Sequence, residues 1–285
     1  MERIKKSLES DCLYHYTTMD TLCCLLNNYR NKISTGNLIF WASSIFSMND
    51  PKEMRFGKEV LEILLPFFEK MFSLSSENRL DINSLDTEKI LNNITHIPFV
   101  LSFSKCEDDL SMWTMYGDEG RGVAMIFDKD IVPYPMNGIC NPKLIEVNYQ
   151  KGVKDYPKLA QIYNSGIQEW TNCCEEEKIK ESKERTLSKL FVELCPYIKS
   201  EAYNKEKEYR FCFCGVPRDK IMFRTRNKQI LPYIEVPIPV SHLRGIVLGP
   251  CSDFKMTTQT LSVLLKCCAL DRIKVFESTI PYRKM

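Results

Sequence analysis

Glycine is scarce: the chain of 285 residues has eleven, too few for several glycine-rich phosphate loops. No Walker A sequence and no Gly-x-Ser-x-Gly elbow occurs, so two common signatures of phosphate cradles and serine nucleophiles are absent. Gly117, Gly120 and Gly122 come as Gly-x-x-Gly-x-Gly, which is not the dinucleotide fingerprint. No Cys-x-x-Cys exists, and Cys212 and Cys214 flank one Phe in an apolar stretch, so zinc-ligand spacing is missing and no metal is expected. A net charge of +2 gives no global pull toward nucleic acid or membrane. No apolar run is long enough to span a bilayer, and Met1 to Lys6 lack the apolar core of a signal peptide. The expectation is a cytoplasmic protein. The thirteen cysteines, with adjacent pairs at Cys23-Cys24, Cys173-Cys174 and Cys267-Cys268, then read as reduced, mostly buried thiols.

What is present is an ordinary globular balance, 44% hydrophobic and 27% charged, in a chain long enough to bury a core without staples. Apolar and β-branched runs predict strands ending at His15, at 38–43 after a first extended piece before Gly36, and at 99–104, 123–128 and 144–149. Further strands are expected at 209–214, 221–225, 233–236, 245–248 and 273–277. Helical spacing predicts helices at 19–27, 51–72, 87–93, 110–116 and 256–269. Leu159, Ile162, Tyr163, Ile167 and Trp170, then Leu187, Leu190 and Leu194, mark a helical insertion at about 150–200. Helices and strands are mixed rather than alternating, which predicts an α+β fold over a single domain of residues 1–285.

Four stretches carry polar chemistry. Tyr14-His15-Tyr16-Thr17 ends a strand and runs into a helix capped by Thr17 or Thr18. Asn49-Asp50-Pro51 with Glu53 has the form of a capping box, Asp50 being the cap. Trp113, Tyr116 and the three glycines crowd a loop between apolar strands. This is either a ligand-approach loop with stacking aromatics or a tight turn over a hydrophobic cluster. Glu206, Glu208 and Arg210 share one face if their stretch is extended, so they line a polar cleft or face water. Arg218, Lys220, Arg224, Arg226 and Lys228, opposed by Asp219, form a basic patch or the solvated face of a hairpin.

Leu13-Tyr14-His15-Tyr16-Thr17, Asn49-Asp50-Pro51-x-Glu53, Ser102-Phe103-Ser104 with Met112-Trp113, and Glu206-x-Glu208-Tyr209-Arg210 occur in this order. The set resembles a large bacterial family of domains of unknown function. It is more distantly similar to the His-Tyr-Glu type of ADP-ribosyltransferases, DarT-like and poly-ADP-ribose polymerase-like. That resemblance implies a split β-sheet core and NAD as substrate. It also implies transfer of ADP-ribose to a macromolecular acceptor, nucleic acid or protein, by a toxin or phage-defence effector with an antitoxin or regulator as partner and no membrane.

The resemblance also implies roles. His15 holds the adenosine ribose, the Tyr16 backbone holds the nicotinamide amide, Thr17 adds to the cofactor site, and Trp41, Phe46 or Tyr116 stacks on nicotinamide. Glu208 meets the ribose 2-hydroxyl as positive charge develops, Glu206 serves the acceptor, and Arg210 flanks them. His15, Trp41 and Glu208 are expected in one pocket, with His15 and Glu208 on one sheet face. Two other classes compete. One is a metal-dependent nuclease using Asp50, Glu53, Glu206 and Glu208; the other is a silent binding or sensor module.

Overall fold

A computed structural model describes residues 11–48, 50, 53–71, 73–92, 96–139, 142–149, 157–226 and 228–282. A ten-stranded, almost wholly antiparallel sheet runs in the order β10-β9-β4-β1-β3-β2-β8-β7, with β6 on the far edge of β3 and β5 on β6. The strands are β1 (Cys12–Thr17), β2 (Asn37–Ser44), β3 (Phe99–Ser104), β4 (Val123–Asp128) and β5 (Ile145–Glu146). They continue as β6 (Glu208–Phe213), β7 (Met222–Arg226), β8 (Gln229–Pro239), β9 (Leu243–Leu248) and β10 (Lys274–Glu277), of which only β9 and β10 pair in parallel. The α+β class follows directly. Among the described residues no helix is long and apolar enough to cross a membrane.

Pleating decides which helices cover which face. Leu13, Phe103, Phe127 and Phe211 point to one face, where α1 (Met19–Asn31) and α7 (Phe254–Cys267) bury Leu22, Leu26, Leu261 and Leu265. The Thr18 hydroxyl caps α1 by accepting from the Thr21 amide at 3.1 Å. Val100 and Cys212 point to the opposite face. There α2 (Glu53–Met71), α5 (Pro157–Thr171) and α6 (Glu176–Leu194) bury Leu61, Leu64, Tyr163, Trp170 and Phe191, so the inserted helices form a second core. A short α3 (Thr87–Asn92) adds Ile90 to that core. A third cluster packs Met112 and Trp113 of α4 (Leu110–Tyr116) on Tyr14, Tyr16 and Ile126.

Trp113 is fixed from both sides. Its ring lies 4.8 Å from that of Tyr16, and its Nε1 donates to Asp108 at 2.7 Å. Asp108 also accepts from the Ser278 hydroxyl at 2.7 Å and the Thr279 amide at 2.8 Å.

Two expectations need correction. The stretch before Gly36 is not a strand but a 3-10 turn, Ile33–Thr35, closed by Gly36 in the left-handed region (φ 64°). β5 covers two residues rather than 144–149. The glycines around 120 serve chain packing: a Cβ on Gly122 would stand 2.2 Å from the Thr17 carbonyl oxygen. Asp50 is buried, whereas Asn49, Pro51 and the Glu53 side chain of its motif lie outside the described residues. The close approach at Gly122 predicts that Gly122→Ala costs ~1–3 kcal/mol by overpacking, read as a lowered urea midpoint with an unchanged slope.

Candidate functional site: a buried acid pair in a parted sheet

β3 has two strands along one edge. β1 pairs it at Tyr14↔Ser104 and β2 at Ser43↔Val100 and Ser44↔Phe99, while β6 fills the other edge from Phe99 to Ser104. Between those contacts β1 and β2 part, and the edge of Leu101 to Phe103 faces a cleft of about 1030 Å³. Residues on both sheet faces line it, among them His15, Thr21 and Asn28 on one side and Trp41, Glu206 and Glu208 on the other.

The acids converge through a turn. Glu206 closes a 3-10 segment, Glu201–Glu206, and Lys207 is left-handed (φ 44°) before β6 starts at Glu208. The Ser104 hydroxyl, donating to the Glu206 carbonyl at 2.6 Å, and the Lys105 amide, donating to the Lys207 carbonyl at 3.0 Å, clamp this turn to β3. Glu206 is therefore not one pleat repeat from Glu208 on a strand, as alternation implied. Nor are the acids solvated: Glu206 is 6% exposed, Glu208 5%, Lys199 2% and Arg210 0%.

Lys199 bridges the pair, with Nζ 2.6 Å from Glu206 Oε2 and 3.2 Å from Glu208 Oε2. Arg210 grips Glu208 with Nε at 2.6 Å from Oε1 and Nη2 at 3.0 Å from Oε2, and donates Nη1 to the Pro196 carbonyl at 2.6 Å. The Tyr116 hydroxyl donates to Glu206 Oε1 at 2.8 Å, and the Tyr149 hydroxyl accepts the Glu208 amide at 2.9 Å. Burial pushes the Glu208 carboxyl up, but Arg210 and then Lys199 outweigh it and hold it at about 2, against an ordinary 4.5. The Ser102 hydroxyl also favours the charged form, yet it makes no hydrogen bond of ordinary geometry and is buried at the cleft wall.

His15 Nδ1 lies 2.9 Å from the Ser102 carbonyl oxygen. A carbonyl only accepts, so the proton sits on Nδ1 and Nε2 is left as an acceptor. The ring stands edge-on to Phe40 at 5.2 Å and tilted to Phe103 at 5.6 Å. Burial lowers its pKa, so it is neutral at pH 7.

His15, Tyr16, Thr17, Trp41, Tyr116, Glu206 and Glu208 all line the cleft. The register, however, sets His15 and Glu208 on opposite faces: Ser104 pairs both Tyr14 and Glu208, so His15 belongs with Phe103. They share the cleft because the sheet parts between them. The Tyr16 hydroxyl is spent on the Cys106 and Glu107 carbonyls at 2.9 and 3.0 Å. Phe46, half exposed on the turn Ile45–Ser47, stands outside the lining. Arg210 is likewise outside it, buried behind Glu208. Sequence reasoning missed Lys199 and Tyr149. The only signal for Lys199 was a lone cation ending the apolar Pro196-Tyr197-Ile198, seven residues before Glu206.

A second acidic group, Asp128, Asp130 and His242, has ligand atoms within 4.8 Å of one another. Arg244 already fills it, with Nε and Nη2 each 2.6 Å from the Asp128 carboxylate.

Fold and site thus define an α+β protein with a polar cleft where its sheet parts and a charge-compensated acid pair in the wall. Residues 112–211 match the profile of a family described as "Protein of unknown function (DUF2971)". The matched stretch holds Tyr116, Lys199, Glu206, Glu208 and Arg210 but neither His15 nor Trp41. No curated protein and no solved structure matches the chain.

Lys199→Met leaves the buried Glu206 carboxylate without its cation, while Arg210 still holds Glu208, and is expected to destabilise the fold by roughly 3–5 kcal/mol; adding Glu206→Gln should recover part of that loss in the same melt. The depressed Glu208 carboxyl sets a pH limb. Its stabilisation is full above 4.5 and is lost as pH falls toward about 2. Acid titration of unfolding free energy should show that limb in the wild type and a shallower one in Glu208→Gln.

Proposed function

We propose that the cleft binds NAD and that the protein transfers ADP-ribose from it to a macromolecular acceptor. The observation that carries this reading is the parted sheet. It gathers a neutral histidine, the exposed Trp41 and half-buried Tyr116 rings and two carboxylates, from segments far apart in sequence, around one ligand-sized volume.

Each residue has a chemical task. His15 Nε2 accepts from a ribose hydroxyl. Tyr116, anchored by its hydroxyl on Glu206, sets its ring beside the acids and stacks on nicotinamide. Glu208 accepts three side-chain hydrogen bonds from Arg210 and Lys199. A carboxylate has about four lone-pair positions, so one remains for the ribose 2-hydroxyl. Its fixed negative charge then opposes the positive charge that develops as the glycosidic C–N bond breaks and nicotinamide leaves with the bonding electrons. Glu206, less tightly tethered, takes the proton of the attacking acceptor or water.

A divalent ion between these acids would have to displace the Lys199 ammonium, which already compensates them. The geometry therefore favours glycosyl transfer over a metal-dependent nuclease.

The test is nicotinamide release from NAD with and without cell extract as acceptor. Glu208→Gln should lower release by roughly 10²-fold while NAD binding survives, compared at a temperature where its melt shows it folded. Glu206→Gln should impair transfer more than hydrolysis. A wild-type protein that neither binds NAD nor releases nicotinamide under either condition removes the reading.

A further inference from the structure

The hairpin of β7 and β8 closes one end of the sheet. Met222 pairs Tyr233, Arg224 pairs Leu231 and Arg226 pairs Gln229. Tyr233 pairs Ser43 and Glu235 pairs Trp41. Pleating therefore places Arg224 and Arg226 on the face that carries Trp41 and Tyr233. Arg224, Arg226 and Trp41 also line the cleft.

This face is preformed. The Trp41 ring rests on the buried Tyr233 ring, with centroids 4.6 Å apart and planes tilted by 38°, and the Arg224 guanidinium lies 5.3 Å from the Trp41 ring and 5.8 Å from that of Tyr233. Arg224 Nη2 donates to the Ser43 hydroxyl at 2.8 Å, while its Nε has no hydrogen-bond partner. Trp41 remains 43% exposed.

The charge is one-sided. From 218 to 228 stand Arg218, Lys220, Arg224, Arg226 and Lys228 against Asp219 alone, and Asp219 is spent on Lys220 at 3.6 Å. Among the described residues Arg224 and Arg226 share no ion pair with a carboxylate. Glu235 is the one acid the pairing puts on the same face of β8. Two like charges held two residues apart on one face of an edge strand, ~7 Å from each other, are stabilised by an anionic chain laid across them.

We propose that the face of this hairpin is a docking surface for single-stranded nucleic acid, which it feeds into the cleft. The arginines take successive phosphates, and the exposed Trp41 ring, backed by Tyr233, takes an unstacked base, a combination that serves single strands without sequence preference. An acidic peptide would use the cations and leave the rings idle. That the docked strand is the acceptor rests on the transferase reading; the docking itself stands on the hairpin.

The experiment uses the whole chain without NAD and two fluorescein-labelled probes, a 12-nucleotide oligothymidylate and a polyglutamate of equal length. The oligonucleotide should bind more tightly. The slope of log K against log[salt] should fall by about 0.7 per phosphate contact removed, hence by about 1.4 in Arg224→Gln/Arg226→Gln, with at least tenfold weaker binding at low salt. Trp113 and Trp170 are buried and Trp41 is not. Quenching of tryptophan emission by unlabelled oligonucleotide should therefore vanish in Trp41→Phe. Polyglutamate binding as tightly, an unaffected double variant, or unquenched emission at saturation would each overturn the proposal. Oligonucleotide binding without nicotinamide release sinks the transferase reading alone, and nicotinamide release without oligonucleotide binding sinks the docking surface alone.

Discussion

Four buried charges hold the centre of this molecule: Lys199 between Glu206 and Glu208, and Arg210 across Glu208. Either carboxylate alone in that environment would be costly to keep ionised. Together with the two cations they sum to zero, and each oxygen of Glu208 has a donor. The positions of several elements follow from keeping the quartet intact. The left-handed Lys207 turns the chain so that both acids reach one ammonium. The bridge from Asn148 to Ile198 sets Lys199 at the right height. Tyr116 ties α4 to the same point through Glu206. The inserted helices thus do more than add a second core, since the 3-10 turn Cys195–Tyr197 and the Ile198 bridge at their exit deliver the lysine.

The parted sheet supplies the other half of the design. A continuous ladder across β1, β3 and β2 would have satisfied the edge of Leu101 to Phe103 with backbone partners and left no room for a ligand. Here the Ser102 carbonyl is satisfied by His15 instead, and a side chain replaces a strand. This substitution lets residues from opposite faces of the pleat share one volume.

Much of the scaffold was legible because its signals are local. The runs at 99–104 and 123–128 are mostly apolar and, apart from the half-buried Ser102, are buried at every position. Helix α1 carries Leu22, Leu25, Leu26 and Tyr29 at helical spacing, and all are buried. What stayed hidden depended on distant partners or on backbone that side chains do not announce. β8 runs from Gln229 to Pro239 rather than 233–236, because Pro232, Pro237 and Pro239 read as interruptions although the strand tolerates them. A lysine at φ 44° carries no turn signal in sequence, so alternation set Glu206 on a strand it does not occupy. Pairing of Lys199 with the acids arises from tertiary packing alone. Tyr116 stood out among three candidate aromatics only once its hydroxyl was seen on Glu206.

Asp108 has a consequence in time as well as in space. It joins the Trp113 indole, against which Tyr16 stacks, to Ser278 and Thr279, 170 residues further along the chain. β1, the first strand made, also waits for β4, and β4 waits for β9 as its outer neighbour. Such non-local closures form late and slowly. During synthesis the histidine-bearing wall of the cleft is emerging chain long before its supports exist, and its set of partners is complete only when the residues past β10 have left the ribosome.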